Sequence, residues 1–244
     1  MFLPNKNLYR ENYENIINKS ILIIGLGGVG SWCFESLIRF GFSDISIVDL
    51  DDVCISNINR QIQATHSNIG KFKVDLLKDR AVDINPDCKI KTFHMYFNKK
   101  NINTIFNLSY DIVIDAIDDI KNKCLLISHC YHHKIDLITV GGTGGKKDPS
   151  QVMINDLNKS FDDPLLALVR KTLRQKHDFP RGRPPYNITC VFSPETTSVK
   201  HKGSFACNSE MGSAAYLTAT FGMFVTYSCI NKLINQVNEN NEIS

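Results

Sequence analysis

Gly25, Gly27, Gly28 and Gly30 stand in the string GLGGVG, which satisfies G-x-G-x-x-G between a short apolar run and a segment of helical periodicity. In that context glycines let backbone N–H groups approach a phosphate at a helix N-terminus. Asp49, an acid that closes the next apolar run, is placed to accept hydrogen bonds from ribose hydroxyls. These residues suit ATP and NAD equally. The choice between them comes from residues further along the chain: Asp51 and Asp52, then Asn57, Asn59, Arg60 and Gln61, then Gly70, Lys71 and Lys73. Attack on the α-phosphate of ATP develops charge on the departing pyrophosphate, which Arg60, Lys73 and a divalent cation can stabilise. A dinucleotide has no such need. Asp118, just past a run ending at Ala116, falls where a parallel sheet presents its carboxyl edge, and a carboxylate there can hold Mg²⁺ against phosphates. Its other reading is a helix N-cap, which Asp119 could equally supply.

The elements that must hold these groups alternate. Apolar, β-branched runs at residues 21–25, 44–49, 89–93, 110–116 and 136–140 read as strands. Helical patterns run through Trp32, Phe34, Leu37 and Ile38 to Gly41, and over 71–84 and 119–133. Strands alternating with helices imply right-handed crossovers. The expected fold is α/β: a Rossmann-like, mostly parallel sheet with helices on both faces, extended by a C-terminal strand and helix region. Residues 1–145 form the ATP-binding core in this reading, and 146–244 extend the same domain with substrate loops and a dimer helix.

The alternation fails after Gly145, where Lys146, Lys147, Asp148 and Pro149 mark a turn and residues 151–157 read as one more strand. Leu165, Leu166, Val169 and Leu173 share one face of a helix over 164–176, and the proline-rich stretch 179–185 reads as a mobile loop. Residues 211–231 carry no charged side chain. Gly212, Ser213, Thr218, Thr220, Gly222, Thr226 and Ser228 dilute that stretch, which favours a helix in the core or at a dimer interface over a membrane span.

Eight cysteines are scattered singly, none in C-x-x-C spacing, so a structural zinc is not expected. The first twenty residues lack an apolar h-region, and reduced thiols in a cytoplasm are the simplest reading. Cys190 and Cys207 are weighed as acyl acceptors and read as structural or incidental thiols. His132, His133, His177 and His201 read as surface or packing residues. Basic groups recur at Lys99–Lys100, Lys146–Lys147, Arg170, Lys171, Arg174, Lys176, Arg181, Arg183 and Lys200–Lys202, on a chain of net charge +3. They permit a polyanionic partner, and an ordinary solvated surface accounts for them as well.

Six ordered motifs resemble those of the ubiquitin-activating-enzyme-like (E1-like) adenylyltransferases, which also serve molybdopterin and thiamine synthesis. They are GLGGVG at Gly25, VDLDD at Val48, SNINRQ at Ser56, GKFKVD at Gly70, INPD at Ile84 and IDAIDD at Ile114. The resemblance implies that Asp51, Asn59, Arg60, Lys73 and Asp118 surround the ATP phosphates and the metal, with Gln61 among the nucleotide-binding residues and Asp51 the second candidate for Mg²⁺. Further stretches, VGGTGGKKDPSQVMINDL, DPLL, CVFSPE and MGSAAYLTATFG, are similar to the branch of that family that modifies tRNA. That branch implies a tRNA substrate bearing threonylcarbamoyladenosine at position 37. ATP activates its threonyl carboxylate as an acyl-adenylate, the carbamoyl group attacks, and a cyclic base forms. It also implies a homodimer, with a sulfurtransferase-type protein as a further candidate partner.

Adenylation of a ubiquitin-like sulfur carrier is the alternative, against which the missing C-x-x-C pairs speak. An NAD oxidoreductase or a nucleotide sensor leaves Asn57 to Gln61 and Lys73 without a task. Relatives carry an N-terminal Arg that reaches the partner's ATP; here Met1-Phe2-Leu3-Pro4 stands instead, and Arg10 is the substitute on offer.

Overall fold

The computed structural model describes residues 1–182, 184–196 and 212–243, with side chains as far as residue 238. Helices α1 (Leu3–Tyr9) and α2 (Glu11–Ile17) lead into β1 (Ser20–Ile24), α3 (Gly28–Phe40) and β2 (Asp44–Val48). There follow α4 (Lys73–Ile84), β3 (Lys89–Phe93), α5 (Ile102–Ile105), β4 (Ile112–Asp115), α6 (Ile120–His133) and β5 (Leu137–Val140). The chain ends with β6 (Met153–Asp156), α7 (Pro164–Lys176), β7 (Thr189–Phe192) and the long α8 (Ala215–Ile243).

The strands form one sheet in the order β3-β2-β1-β4-β5-β7-β6, parallel except where β6 runs against β7. Side chains alternate between its faces with the period of two that a strand imposes. Ile21, Ile23, Ile45 and Ile114 meet α3 and α8 on one side, while Leu22, Ile24, Val48 and Val113 meet α6 and α7 on the other. Covered twice over, β1, β4 and β5 are buried almost throughout. The edge strands β3 and β6 instead carry exposed Lys89 and Lys91, and Asn155, which blunt edge-to-edge pairing. The chain leaves β1 toward β2 and β3 and later returns to add β4 on the opposite side. The carboxyl ends of β1 and β4 therefore flank a topological switch point, where open α/β sheets bind ligands.

Several sequence expectations need correction. Helices α1 and α2 and strand β7 carry too few residues of regular pattern to have been anticipated. The strand expected over 151–157 is present but shorter, as β6, and follows a 3₁₀ turn at Pro149–Gln151. The stretch 179–185, expected to be a loop, carries no helix or strand among its described residues and is flanked by buried Phe179 and Tyr186. Asn158 Nδ2 also donates to the carbonyls of Gly182 and Pro184. The uncharged helix begins at Ala215 and continues through the polar tail to Ile243, while Met211 lies outside the described residues. Leu217, Phe221, Val225, Cys229 and Leu233 of α8 are buried in the core shared with α3. The two leucines, the phenylalanine and the valine each contribute roughly 1.5–3 kcal/mol relative to exposure. No described helix is long and apolar enough to cross a membrane.

Candidate active site

A cleft of about 580 Å³ opens over the carboxyl ends of β1, β2, β4 and β5, within the range usual for small-molecule sites. Its floor is the glycine turn. Gly25 has φ +92°, and a Cβ on it would meet the Ala116 carbonyl oxygen at 2.6 Å. A Cβ on Gly30 would come within 1.9 Å of the Gly25 carbonyl oxygen, so the turn closes only because both side chains are absent. α3 starts immediately afterwards without a side-chain cap, leaving the amino end of a thirteen-residue helix turned toward the cleft.

Asp49 ties this turn to the acidic loop behind β2. Its Oδ2 accepts from the Leu26 N–H at 2.7 Å and its Oδ1 from the Asp51 N–H at 2.8 Å. Each oxygen keeps a further lone pair for a ligand hydroxyl. Burial pushes the Asp49 carboxyl above its ordinary value, partly offset by the Lys73 charge and those N–H groups.

Asp51 stands between two donors, Lys73 Nζ at 2.7 Å from its Oδ2 and the Tyr96 hydroxyl on its Oδ1. Burial pushes Asp51 up, but hydrogen bonds from Lys73 and Tyr96, with the Lys73 charge, outweigh it and hold the carboxyl below its usual range. Lys73, the first residue of α4, is almost wholly buried, so its ammonium sits where its charge is least screened.

Arg60 enters from the loop after β2. Its Nη1 donates to the Ser56 carbonyl at 2.6 Å and to Asn59 Oδ1 at 3.0 Å, and its own carbonyl accepts from Trp32 Nε1 at 3.0 Å. Asn59 Nδ2 donates to the Ser213 carbonyl at 2.7 Å, pinning the loop to the start of α8. The buried Gln61 Oε1 accepts from Gln63 Nε2.

The two readings of Asp118 separate here. Asp119 caps α6, its side chain accepting from the Asn122 N–H at 2.8 Å, while Asp118 lines the cleft. Burial raises the Asp118 carboxyl above its ordinary value; its own backbone N–H and the Lys123 charge pull it down, and Asp51 and Asp119 push it up again. Of the residues singled out in the sequence, Gly25, Gly27, Gly28, Asp49, Asp51, Asn59, Arg60, Gln61, Lys73 and Asp118 line this one cleft, and Gly30 closes the turn behind it.

Residues 4–242 match the ThiF family. The chain belongs to the ThiF family. This member is 40% identical over 224 residues to the tRNA threonylcarbamoyladenosine dehydratase of Haemophilus influenzae, covering 88% of this chain and 86% of that one. It is 36% identical over 231 residues to the protein of the same name in Escherichia coli, covering 88% and 85%. The crystal structure of the E. coli dehydratase TcdA in complex with ATP matches with a TM-score of 0.90 at 33% identity, over 98% of this chain and 95% of that one.

Other residues of this ThiF-family cleft escaped the sequence reading. Tyr96, just past β3, is one. Lys146, grouped with surface lysines by sequence, is buried: its Nζ lies 2.8 Å from Asp163 Oδ2 and donates to the Ser193 carbonyl at 2.6 Å. Asp163 also accepts from the Gly142 N–H and caps α7 through the Leu166 N–H, a role that the Asp-Pro pair at the start of DPLL could have signalled. Arg170 bonds Ser160 Oγ, and Arg174 donates to the Tyr186 hydroxyl and to Asn158 Oδ1. The polyanion-facing set expected from sequence therefore shrinks to exposed Lys99, Lys100, Lys147, Lys171, Lys176 and Arg181 among the described residues.

Cys190 is sealed inside β7, where burial raises its thiol far above the ordinary value, which removes it as an acyl acceptor. Cys207, Arg183, Lys200, His201 and Lys202 lie outside the described residues. Arg10, between α1 and α2, does not line the cleft.

Proposed function

We propose that this protein uses ATP to convert N6-threonylcarbamoyladenosine at position 37 of tRNA into its cyclic, dehydrated form. The observation that carries this reading is the convergence of Arg60, Lys73 and Asp118 on one cleft beside the uncapped amino end of α3. The glycine turn and α3 receive the phosphates and Asp49 the ribose. Bound there, the α-phosphorus is exposed to the threonyl carboxylate, whose oxygen attacks it as pyrophosphate leaves. Arg60 and Lys73 neutralise the departing charge. The carbamoyl group then attacks the acyl carbon, AMP leaves, and one water has been lost from the base overall.

Asp118 would hold Mg²⁺, with Asp51 the second candidate. The fit rests on Asp118 lining the cleft without serving as the cap of α6, with Asp51 close enough to raise its pKa. Among the described residues no three His, Cys, Asp or Glu side chains cluster, which suits a cation that takes most of its ligands from phosphates and water. Bound, it would screen the phosphate oxygens.

A tRNA substrate implies a cytoplasmic protein, and a homodimer is part of the same reading. Activation of a ubiquitin-like sulfur carrier would use the same phosphate site. Against it, a probable molybdopterin-synthase adenylyltransferase of Porphyra purpurea matches over only 53% of this chain, whereas the dehydratases match over most of it. Incubation with ATP, Mg²⁺ and tRNA bearing threonylcarbamoyladenosine, followed by mass spectrometry of the nucleosides, tests the proposal. Loss of one water from the modified adenosine is expected; an unchanged base, with pyrophosphate released instead in a parallel incubation with a ubiquitin-like carrier protein, would reverse the choice.

A further inference from the structure

The chain between β4 and Asp118 is gripped from beneath by groups that do not reach the cleft. Asp115 Oδ1 accepts from the Ile117 N–H at 3.1 Å, and Lys123 Nζ donates to the Ile117 carbonyl at 3.0 Å. The two side chains are also an ion pair, Lys123 Nζ to Asp115 Oδ2 at 2.9 Å, and both are 0% exposed. Thr139 Oγ1, in the middle of β5, donates to the same Asp115 oxygen at 2.6 Å and ties the pair to the sheet. Neither Asp115 nor Lys123 lines the cleft, although Ala116, Ile117, Asp118 and Asp119 all do.

A peptide unit is planar, so fixing its carbonyl fixes the Cα atoms at both ends. The Ile117 carbonyl shares its plane with the Asp118 nitrogen and Cα, and the Ile117 N–H belongs to the preceding plane. Both planes flanking Ile117 are thus pinned by one ion pair, which fixes the position of the Asp118 Cα and leaves its carboxylate to be aimed by φ and the side-chain torsions. Desolvating two charges commonly costs more than their attraction returns, and an apolar pair of similar size would fill the same space. The charged pair supplies what an apolar pair cannot, a strong acceptor for an N–H and a strong donor for a C=O at either end of one residue.

We propose that Asp115 and Lys123 are positioning residues, which hold the Ile117 peptides so that the Asp118 carboxylate stands at the phosphate end of the cleft. The proposal rests on the assignment of Asp118 to the metal. Its test is the double variant Asp115→Asn/Lys123→Met, which removes both buried charges together and leaves the Ile117 carbonyl without its donor. The variant is expected to fold and to show a near-normal melting shift with ATP in the absence of Mg²⁺, because the glycine turn and Asp49 are untouched. Its kcat for tRNA-dependent AMP formation should fall about tenfold to a hundredfold, the scale of a small misplacement, with KM for ATP little changed. The Mg²⁺ concentration for half-maximal rate should rise. Adding Asp118→Asn should cost little more than Asp118→Asn alone, since coupled residues do not add.

A folded double variant with wild-type kcat and Mg²⁺ requirement overturns the proposal, as does a loss that multiplies fully with that of Asp118→Asn. If the double variant does not fold, Thr139→Val carries the test. It removes one hydrogen bond to Asp115 while keeping shape and charge, and the same kcat signature is expected in smaller measure; a wild-type kcat would refute the clamp. Asp118→Asn alone separates the two levels. Full activity in that variant removes the role of Asp118 and this proposal with it, whereas an inactive Asp118→Asn beside a fully active clamp variant removes the clamp only.

Discussion

Lys73 Nζ lies 2.7 Å from Asp51 Oδ2, joining the first residue of α4 to the loop behind β2 across the mouth of the cleft. The lysine side chain is 4% exposed and the aspartate 36%, so the buried member depends on the pair more than the exposed one. Asp51→Ala should destabilise the fold by stranding the Lys73 ammonium. Lys73→Met should leave the melting temperature closer to wild type and lower tRNA-dependent AMP formation on the order of a hundredfold, as loss of one charged stabiliser does. Melting curves beside initial rates would check this; equal destabilisation by both changes would contradict it.

ATP with Mg²⁺ should raise the melting temperature more than NAD at the same concentration, because binding to the native state alone stabilises it. Differential scanning fluorimetry measures both. A larger shift with NAD would overturn the adenylation chemistry assigned to Arg60 and Lys73.

Glu35 of α3 is clasped by Arg80 of α4, through Nε at 2.7 Å and Nη2 at 2.8 Å, and by Arg39 at 2.7 Å. Burial pushes this carboxyl up, but the hydrogen bonds and charges of the two arginines outweigh it and hold its pKa below the ordinary value. The unfolded chain then binds a proton that the native state does not, between about pH 4.3 and the lower native value. The clasp's stabilisation is accordingly full above that window and lost as pH falls through the native pKa. Glu35→Gln should melt below wild type at neutral pH, and the gap should narrow in acid; a gap constant from pH 7 to the acid limit would contradict the linkage.

The glycine turn, Asp49, Arg60 and Lys73 were legible in the sequence because each belongs to a local pattern: a turn that only glycine can make, or a charge at a strand or helix end. Lys146 and Lys147 show where that legibility stops. They are neighbours of identical composition, yet one is buried on Asp163 and the other exposed, a difference set by residues seventeen or more positions away. Tyr96 was invisible for the same reason, its partner Asp51 standing 45 positions earlier, whereas Lys123 lies six residues from the Ile117 carbonyl and was missed because a lysine in a helical pattern reads as solvated. Strand β7 is four residues long and follows a proline-rich stretch, and only pairing with β5 and β6 makes it a strand.

Tyr216, Met223 and Tyr227 of α8 are 54%, 42% and 56% exposed and recur at i, i+7 and i+11, which aligns them along the helix face opposite the core. A lone exposed apolar residue is ordinary, whereas a row of three is the feature by which the proposed homodimer can be tested. A second copy of this chain is the expected partner. Sedimentation should give a dimer for the wild type and a monomer for Met223→Glu/Tyr227→Glu with an unchanged melting temperature at low concentration. A wild-type monomer at micromolar concentration would remove the homodimer from the proposed function.

Asp118 and Asp119 are adjacent carboxylates to which the structure gives different work, and paired substitutions distinguish them. Asp119 caps α6 through the Asn122 N–H, so Asp119→Ala should cost about 1 kcal/mol of stability, the usual worth of a cap, and leave most of the activity. Asp118 makes no such bond and lines the cleft, where desolvation and the neighbouring Asp51 and Asp119 carboxylates push its pKa above the ordinary value. Asp118→Asn removes a carboxylate that faces two like charges, so the melting temperature should hold or rise slightly. The same change would remove the charge proposed to hold Mg²⁺, and AMP formation should fall on the order of a hundredfold or more. One variant moves stability and the other moves rate. If Asp118→Asn instead melts early and keeps its activity, the carboxylate is structural, and Asp51, released from Tyr96, becomes the residue to test for the metal.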